Sequence, residues 1–326
     1  MFGSSFLVRS PGRFFVLCLF AFWNSLALSQ DNYPSKPIKI ITPYPVGGTS
    51  DAVMWDFTEA FGREIGQPIV YEHKPGAATN IGSQFVAKSE ADGYTILLGN
   101  VAMVRNRWFG PQPNFDLYKD LSPVTKLMEV GGVISANMEF RPNDWSEVSA
   151  LSKSSEKVLT IASAQADVII AQIVDAAGIK LLHVPYKGGG PALTDLVGGH
   201  VDMMWGFLPA QYQHIESKKI KPLVVTSTKR LPQLPDTPTL KELGIDYAND
   251  AWYGLFVPAG TSQAIIDKIA ATTKKVLERP EMINKIRSVG AEPGATTPAE
   301  FLSIVKREDA LNEKESKRYP ELVRKR

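Results

Sequence analysis

Ile38 to Asp51, IKIITPYPVGGTSD, runs from a short β-prone segment through a proline-bounded glycine loop into a set of helix-capping residues. Ile38, Ile40 and Ile41 predict a buried strand, Pro43 and Pro45 forbid its extension, and Gly47-Gly48 lets the backbone turn closely. Thr49, Ser50 or Asp51 then suits the start of a helix. The free N–H groups of that first turn, together with the helix dipole, favour a carboxylate or phosphate placed just outside it. An ordinary strand-to-helix connection would use the same residue types, so an anion site here is an expectation that needs support from elsewhere in the chain.

The same order recurs on both sides. Val53, Phe57, Phe61 and Ile65 form a helical stripe after the loop; Pro68 to Glu72 reads as a strand, Ile81, Phe85 and Val86 mark a helix, and Tyr94 to Leu98 is a strand after the Asp92-Gly93 turn. A second series runs from strand Val158 to Ala162 through helix Val168 to Ala177, strand Leu181 to Val184 and helix Ala192 to Val197. Strands at Val201 to Trp205 and Pro222 to Thr226 follow. An irregular, Pro-rich region from Pro111 to Pro123 precedes this series, and the Pro-rich stretch Leu231 to Pro238 ends it. The expected fold class is therefore α/β in two lobes, each a mixed sheet flanked by helices, with a cleft between them. Strands near Val133 to Ala136 and Trp252 to Val257 are the expected crossings, which makes residues 30–132 plus 252–326 one lobe and 133–251 the other.

Arg9 and Arg13, an apolar run from Phe14 to Trp23 and the small residues up to Ser29 have the order of a secretory signal peptide, so residues 1–29 are expected to be removed near Ser29. The only cysteine, Cys18, lies inside that run, so the exported chain needs no disulfide. The sequence has 36 basic and 34 acidic residues, and the leader holds two of the basic ones and no acid, so the remainder is charge-balanced. With no basic stripe and no second long apolar segment, neither nucleic-acid binding nor a membrane span is expected.

Signatures of chemistry are missing. Gly-x-Ser-x-Gly, Gly-x-x-x-x-Gly-Lys-Ser/Thr, Gly-x-Gly-x-x-Gly and His-Glu-x-x-His do not occur, so no cofactor, metal or catalytic residue is expected. Two further loops repeat the logic of the first. Tyr186 to Pro191, YKGGGP, leads from a strand into a helix, and Ser163 to Asp167 follows the strand at Val158 to Ala162. In open α/β sheets ligands sit beyond the carboxyl ends of strands, where these loops lie.

Six blocks carry a resemblance: YPSKPIKIITPYPVGG from Tyr33, PGAATNIG from Pro75, ADGYTILLGN from Ala91, VPYKGGGPALTDLVGGHVDMMW from Val184, LPDTPTLKELG from Leu234 and WYGLFVPAGT from Trp252. In number, order and spacing they resemble the Bug, or TctC-like, solute-binding proteins of tripartite tricarboxylate transport systems. The resemblance implies a type II periplasmic binding protein fold that closes on a small organic carboxylate and delivers it to the membrane subunits of a transporter, working as a monomer in the periplasm. By matching positions, it implies ligand contacts at Tyr44, Val46, Gly47, Gly48, Thr49 and Asp51, at Asn80, at Asn100, Val101 and Ala102, at Ser163, Ala164, Gln165 and Asp167, and at Tyr186 and Gly188.

The second series departs from the family pattern. Ser163-Ala164-Gln165-Ala166-Asp167 replaces a Ser-x-Gly-x-Gly-Ser-type loop, and Trp205-Gly206-Phe207-Leu208-Pro209 replaces Phe-Asp-Asn-Leu-Pro. Phe207 either faces the cleft, where it would suit an aromatic carboxylate, or fills core with Trp205; Asp167 either meets a cationic group such as an ammonium or caps a helix. Three other functions share parts of this reading. A ligand sensor feeding a membrane signalling protein needs the same lobes, a secreted hydrolase needs a Ser, a His and a carboxylate converging in the cleft, and a receptor that has lost its ancestral binding would keep the fold alone.

Overall fold

A computed structural model describes Gly3 and residues 33–46, 50–154, 158–164, 167–186 and 188–323. Apart from Gly3, the expected signal peptide lies outside the described residues, as do Gly47, Gly48, Thr49, Gln165 and Lys187. The chain begins with β1 (Ile38–Thr42), α1 (Asp51–Ile65), β2 (Ile69–His73), α2 (Asn80–Ala87), β3 (Thr95–Asn100), α3 (Val101–Phe109) and β4 (Leu121–Asn137). It continues with α4 (Trp145–Ser154), β5 (Leu159–Ala164), α5 (Asp167–Ala177), β6 (Leu181–Tyr186), α6 (Gly189–Val197), β7 (Met203–Phe207), α7 (Leu208–Glu216) and β8 (Ile220–Val225). Last come β9 (Asp250–Pro258), α8 (Gln263–Leu277), α9 (Pro280–Ser288), β10 (Ala291–Pro293) and α10 (Pro298–Arg318).

The architecture is a two-lobed α/β fold of the periplasmic binding protein type. In the first sheet β2 and β3 flank β1 in parallel, β9 runs antiparallel to β3, and β4 pairs with both β9 and β10. In the second, β5 is parallel to β6 and β7, while β7 and β8 both pair antiparallel with β4. β4 belongs to both: its residues from Leu121 to Gly131 pair with β9, and those from Gly132 to Asn137 pair with β7 and β8. A side chain at the change-over would not fit. A Cβ on Gly132 would stand 2.2 Å from the Thr226 hydroxyl, which accepts the Trp205 indole N–H at 3.1 Å.

Each sheet is covered by helices because the apolar stripes read from the sequence are buried. Val53, Phe57, Phe61 and Ile65 of α1 pack with Ile38, Ile40, Leu97 and Phe256 in one core, and α1 stops at Gly66, whose left-handed φ of 86° lets its N–H return to Gly62 O. Ile134, Trp145, Ile161, Ile170 and Met203 form the second core. α10 is launched by a capping box between Thr297 and Glu300 and buries Phe301 in the first core. Its far end reaches the second sheet's helices, where the Tyr319 hydroxyl donates to Asp175 of α5 at 2.7 Å and Arg318 lies 3.6 Å from the same carboxylate oxygen. Among the described residues no helix is long and apolar enough to cross a membrane.

Observed elements begin and end within three residues of the expected ones, except that the strand expected near Val133 to Ala136 is β4, which already begins at Leu121. The irregular segment expected at Pro111 to Pro123 already contains the first residues of β4, because Pro123 sits at a bulge in the pairing with β9, where a missing N–H is tolerated.

Candidate functional site

The described ends of the loop after β1 are tied to β2. The Asp51 carboxylate accepts from the Tyr71 hydroxyl at 2.9 Å and lies 3.6 Å from His73 Nε2, while His73 Nδ1 is 3.0 Å from Tyr44 O. Tyr44 turns its ring edge-on to Tyr253 at 6.0 Å, and its hydroxyl is buried without a hydrogen-bonding partner among the described residues. Burial drives the Tyr44 pKa well above the usual phenol range. Val46 is the exposed lip of this loop.

Asn80 and Asn100 act on the backbone around them. The Asn80 amide donates to Pro111 O at 2.9 Å, and the Asn100 side chain caps α3 by accepting from Ala102 N–H at 2.8 Å. Between β2 and α2, Ala77, Ala78 and Thr79 take φ of 46°, 52° and 80°, a left-handed run held by the Asn106 amide, which donates to Ala78 O at 2.7 Å. With Val101 in its first turn, α3 places Arg105 four residues further along the same face.

On the second sheet, Ser163 and Ala164 end β5, and Asp167 begins α5. The Ser163 hydroxyl lies 2.7 Å from His183 Nε2, and His183 Nδ1 lies 3.2 Å from Asp167 Oδ1. A carboxylate only accepts, so Nδ1 carries the imidazole proton and Nε2 accepts from Ser163. Burial lowers the His183 pKa against the opposing pull of Asp167, which keeps the ring neutral. Tyr186 ends β6 with its hydroxyl on Asp195, which pushes its pKa up to about 12, and Gly188 precedes α6. Phe207 stands edge-on to Trp205 at 5.3 Å and packs against both apolar cores.

Between the two sheets lies a cavity of about 300 Å³, with Ala77, Ala78, Arg105 and Pro111 on one wall and Asp167, Pro185 and Tyr186 on the other. A second cavity, of about 510 Å³, adjoins it at Arg105 and Val168 and extends past Val101, Tyr247 and Glu308 under α10. Of the residues expected from the sequence, Asp167 and Tyr186 line the first cavity and Val101 the second. Tyr44, Val46, Asp51, Asn80, Asn100, Ala102, Ser163, Ala164, Gly188 and Phe207 line neither.

Arg105 is the residue that sequence reasoning missed. It lines both cavities, and it forms no hydrogen bond or ion pair with any described residue. Burial lowers its pKa, while Tyr247, Glu308, Tyr44 and Asp167 act electrostatically in the opposite direction. Arg107, by contrast, is paired with Asp309 of α10. The available signal was the helical spacing of Arg105 from Val101, but reading it required knowing that α3 continues beyond Ala102.

The family model described as the tripartite tricarboxylate transporter family receptor matches residues 53–316. A UPF0065 protein from the tcbD-tcbE intergenic region of Pseudomonas sp. (strain P51) is 32% identical over 286 residues, spanning 85% of this chain and 84% of its own. The solved structure of the periplasmic binding protein BugD has 30% identity and a TM-score of 0.79 over 88% of this chain and 98% of that one. An R. palustris protein solved with adipate has 28% identity and a TM-score of 0.81, covering 88% and 98% respectively.

Proposed function

Because this chain belongs to the receptor family of tripartite tricarboxylate transporters, we propose that it captures a small organic carboxylate in the periplasm and delivers it to the membrane subunits of such a transporter, without catalysis. The observation that carries the reading is the cavity between the two sheets, lined from α3 by a guanidinium that has no hydrogen-bonding or ionic partner among the described residues. The periplasmic character of BugD and the adipate held by the R. palustris relative support both the location and the ligand class. In this reading residues 1–29 are a cleaved signal peptide, 30–132 plus 252–326 form one lobe and 133–251 the other, and the mature chain works as a monomer.

β4 and β9 are the hinge, and the lobes interconvert between open and closed forms. A ligand touching both walls favours the closed one. Backbone N–H groups of the loop from Tyr44 to Asp51 and of the turns at Asn80, Asn100 to Ala102, Ser163 to Asp167 and Tyr186 to Gly188 contribute neutral, preorganised donors, and Arg105 adds a charged one.

The test is a thermal-shift screen of the chain from Gln30 against aliphatic and aromatic mono-, di- and tricarboxylates and amino acids. A ligand of the native state at a hundredfold excess over its Kd adds about 2.7 kcal/mol of stability and raises the melting temperature. The reading fails if no member of the panel shifts the melt. A shift with aromatic acids alone would favour Phe207 as part of the cleft wall.

A hydrolase has one observation in its favour, the Ser163–His183–Asp167 relay. Access argues against it, because Ser163 is 0% exposed and an attacking hydroxyl has to meet its substrate. The relay instead orients the Asp167 carboxylate on the cavity wall. Ser163→Ala should therefore leave the chain without any esterase activity to lose, and labelling of Ser163 by a fluorophosphonate would reverse this assignment.

A further inference from the structure

We propose that the cleft is built for a dipolar ligand, an amino acid whose carboxylate rests on Arg105 and whose ammonium rests on Asp167. This deepens the receptor reading and rests on it. The two groups stand on opposite walls of the same cavity of about 300 Å³, one presented by α3 of the first sheet and the other by the start of α5 on the second.

Among the described residues, neither charge is neutralised by an oppositely charged partner. Arg105 has five N–H donors and, among the described residues, no hydrogen-bonding or ionic partner. Glu308 of α10, which acts on Arg105 electrostatically, accepts from the Asn312 amide at 2.9 Å. Asp167 has one partner among the described residues, the His183 ring at 3.2 Å. A neutral imidazole donates to the carboxylate and fixes its direction but leaves its charge intact. Taking one unpaired charge from water is costly, and a closing cleft would do this to two.

The chemistry of the occupant follows by comparing charge patterns. A simple dicarboxylate satisfies Arg105 and brings an anion towards Asp167; an amine alone does the reverse; a neutral solute leaves both unpaired. A molecule with a carboxylate and an ammonium on neighbouring carbons pairs both walls at once and gains only when the lobes are together. The loss of small hydroxyl and glycine positions around Asp167, noted in the sequence, places a fixed anion where backbone donors would otherwise dominate.

Isothermal titration of the mature chain with two matched pairs of probes tests this: succinate against L-aspartate, and glutarate against L-glutamate. Within each pair the members differ by one ammonium. The amino member should bind at least about tenfold more tightly, the scale of one charge-assisted hydrogen bond. Asp167→Asn, which keeps the shape of the side chain, should abolish that preference without weakening the diacid, and Arg105→Gln should weaken every member of both pairs. Melting temperatures of the unliganded variants should stay close to that of the parent, since an asparagine at 167 still offers an oxygen to the His183 N–H and Arg105 has no partner among the described residues to lose. Equal or tighter binding of the diacids by the parent protein would overturn the proposal, as would an ammonium preference that survives Asp167→Asn. If none of the four binds while other carboxylates shift the melt, the dipolar ligand is wrong and the receptor reading stands. If nothing in the wider screen binds, both fall.

Discussion

Ala77, Ala78 and Thr79 hold positive φ at three successive non-glycine positions, a conformation in which a Cβ crowds the following carbonyl. Ala78, at φ 52° and ψ 49°, has no side chain beyond its methyl group to lose. Ala78→Gly should therefore raise stability by about 0.5–1 kcal/mol after the entropy of the unfolded glycine is counted, seen as a higher urea midpoint at constant slope. His183 gives a pH prediction of defined sign. Its folded pKa lies below the ordinary value of 6.5, so as pH falls through 6.5 the unfolded chain takes up a proton that the folded chain refuses. Stability should decline over that interval and level off below the folded pKa, and His183→Gln should flatten that part of the melting-temperature profile. At this scale, two of the side chains expected beside strand ends, Asp167 and Tyr186, line the cavity. Arg105 was not legible, because its place on both cavity walls and its lack of a partner among the described residues leave no pattern in one dimension.

Among elements, α1 and the strands around it could be read directly, since a stripe of large apolar residues every fourth position admits one solution against a sheet. β4 was harder. Pro123 and Gly131-Gly132 look like breakers, yet they are what lets one strand run through a bulge and pass from the first sheet to the second. Gly132→Ala should cost about 1–3 kcal/mol, because the new methyl group has to displace the Thr226 hydroxyl from the Trp205 indole, and the loss is readable by thermal melting. Thr297→Ala should cost about 1 kcal/mol by opening the capping box that starts α10. The Thr297 loss should register as lower stability with ligand affinity unchanged, whereas Gly132→Ala should alter both.

For the whole molecule, two lobes could be expected from two strand–helix series separated by proline-rich stretches, and their periodicities carried most of that inference. A cleft between the lobes was part of that expectation, but its lining was not, because Ala78, Arg105 and Asp167 come together only after both sheets have formed. Small-angle scattering should show a smaller radius of gyration with saturating ligand than without it; unchanged dimensions would remove the hinge from the mechanism. The fastening of α10 to α5 has a kinetic consequence. Any opening that parts these helices must first release the Tyr319–Asp175 hydrogen bond, so the end of the chain sets how long a captured solute stays. With such a bond worth about 1 kcal/mol, Tyr319→Phe should speed dissociation roughly fivefold in a stopped-flow chase while leaving the association rate nearly unchanged. Residence time in the cleft would then be governed by a contact remote from the charges that recognise the solute.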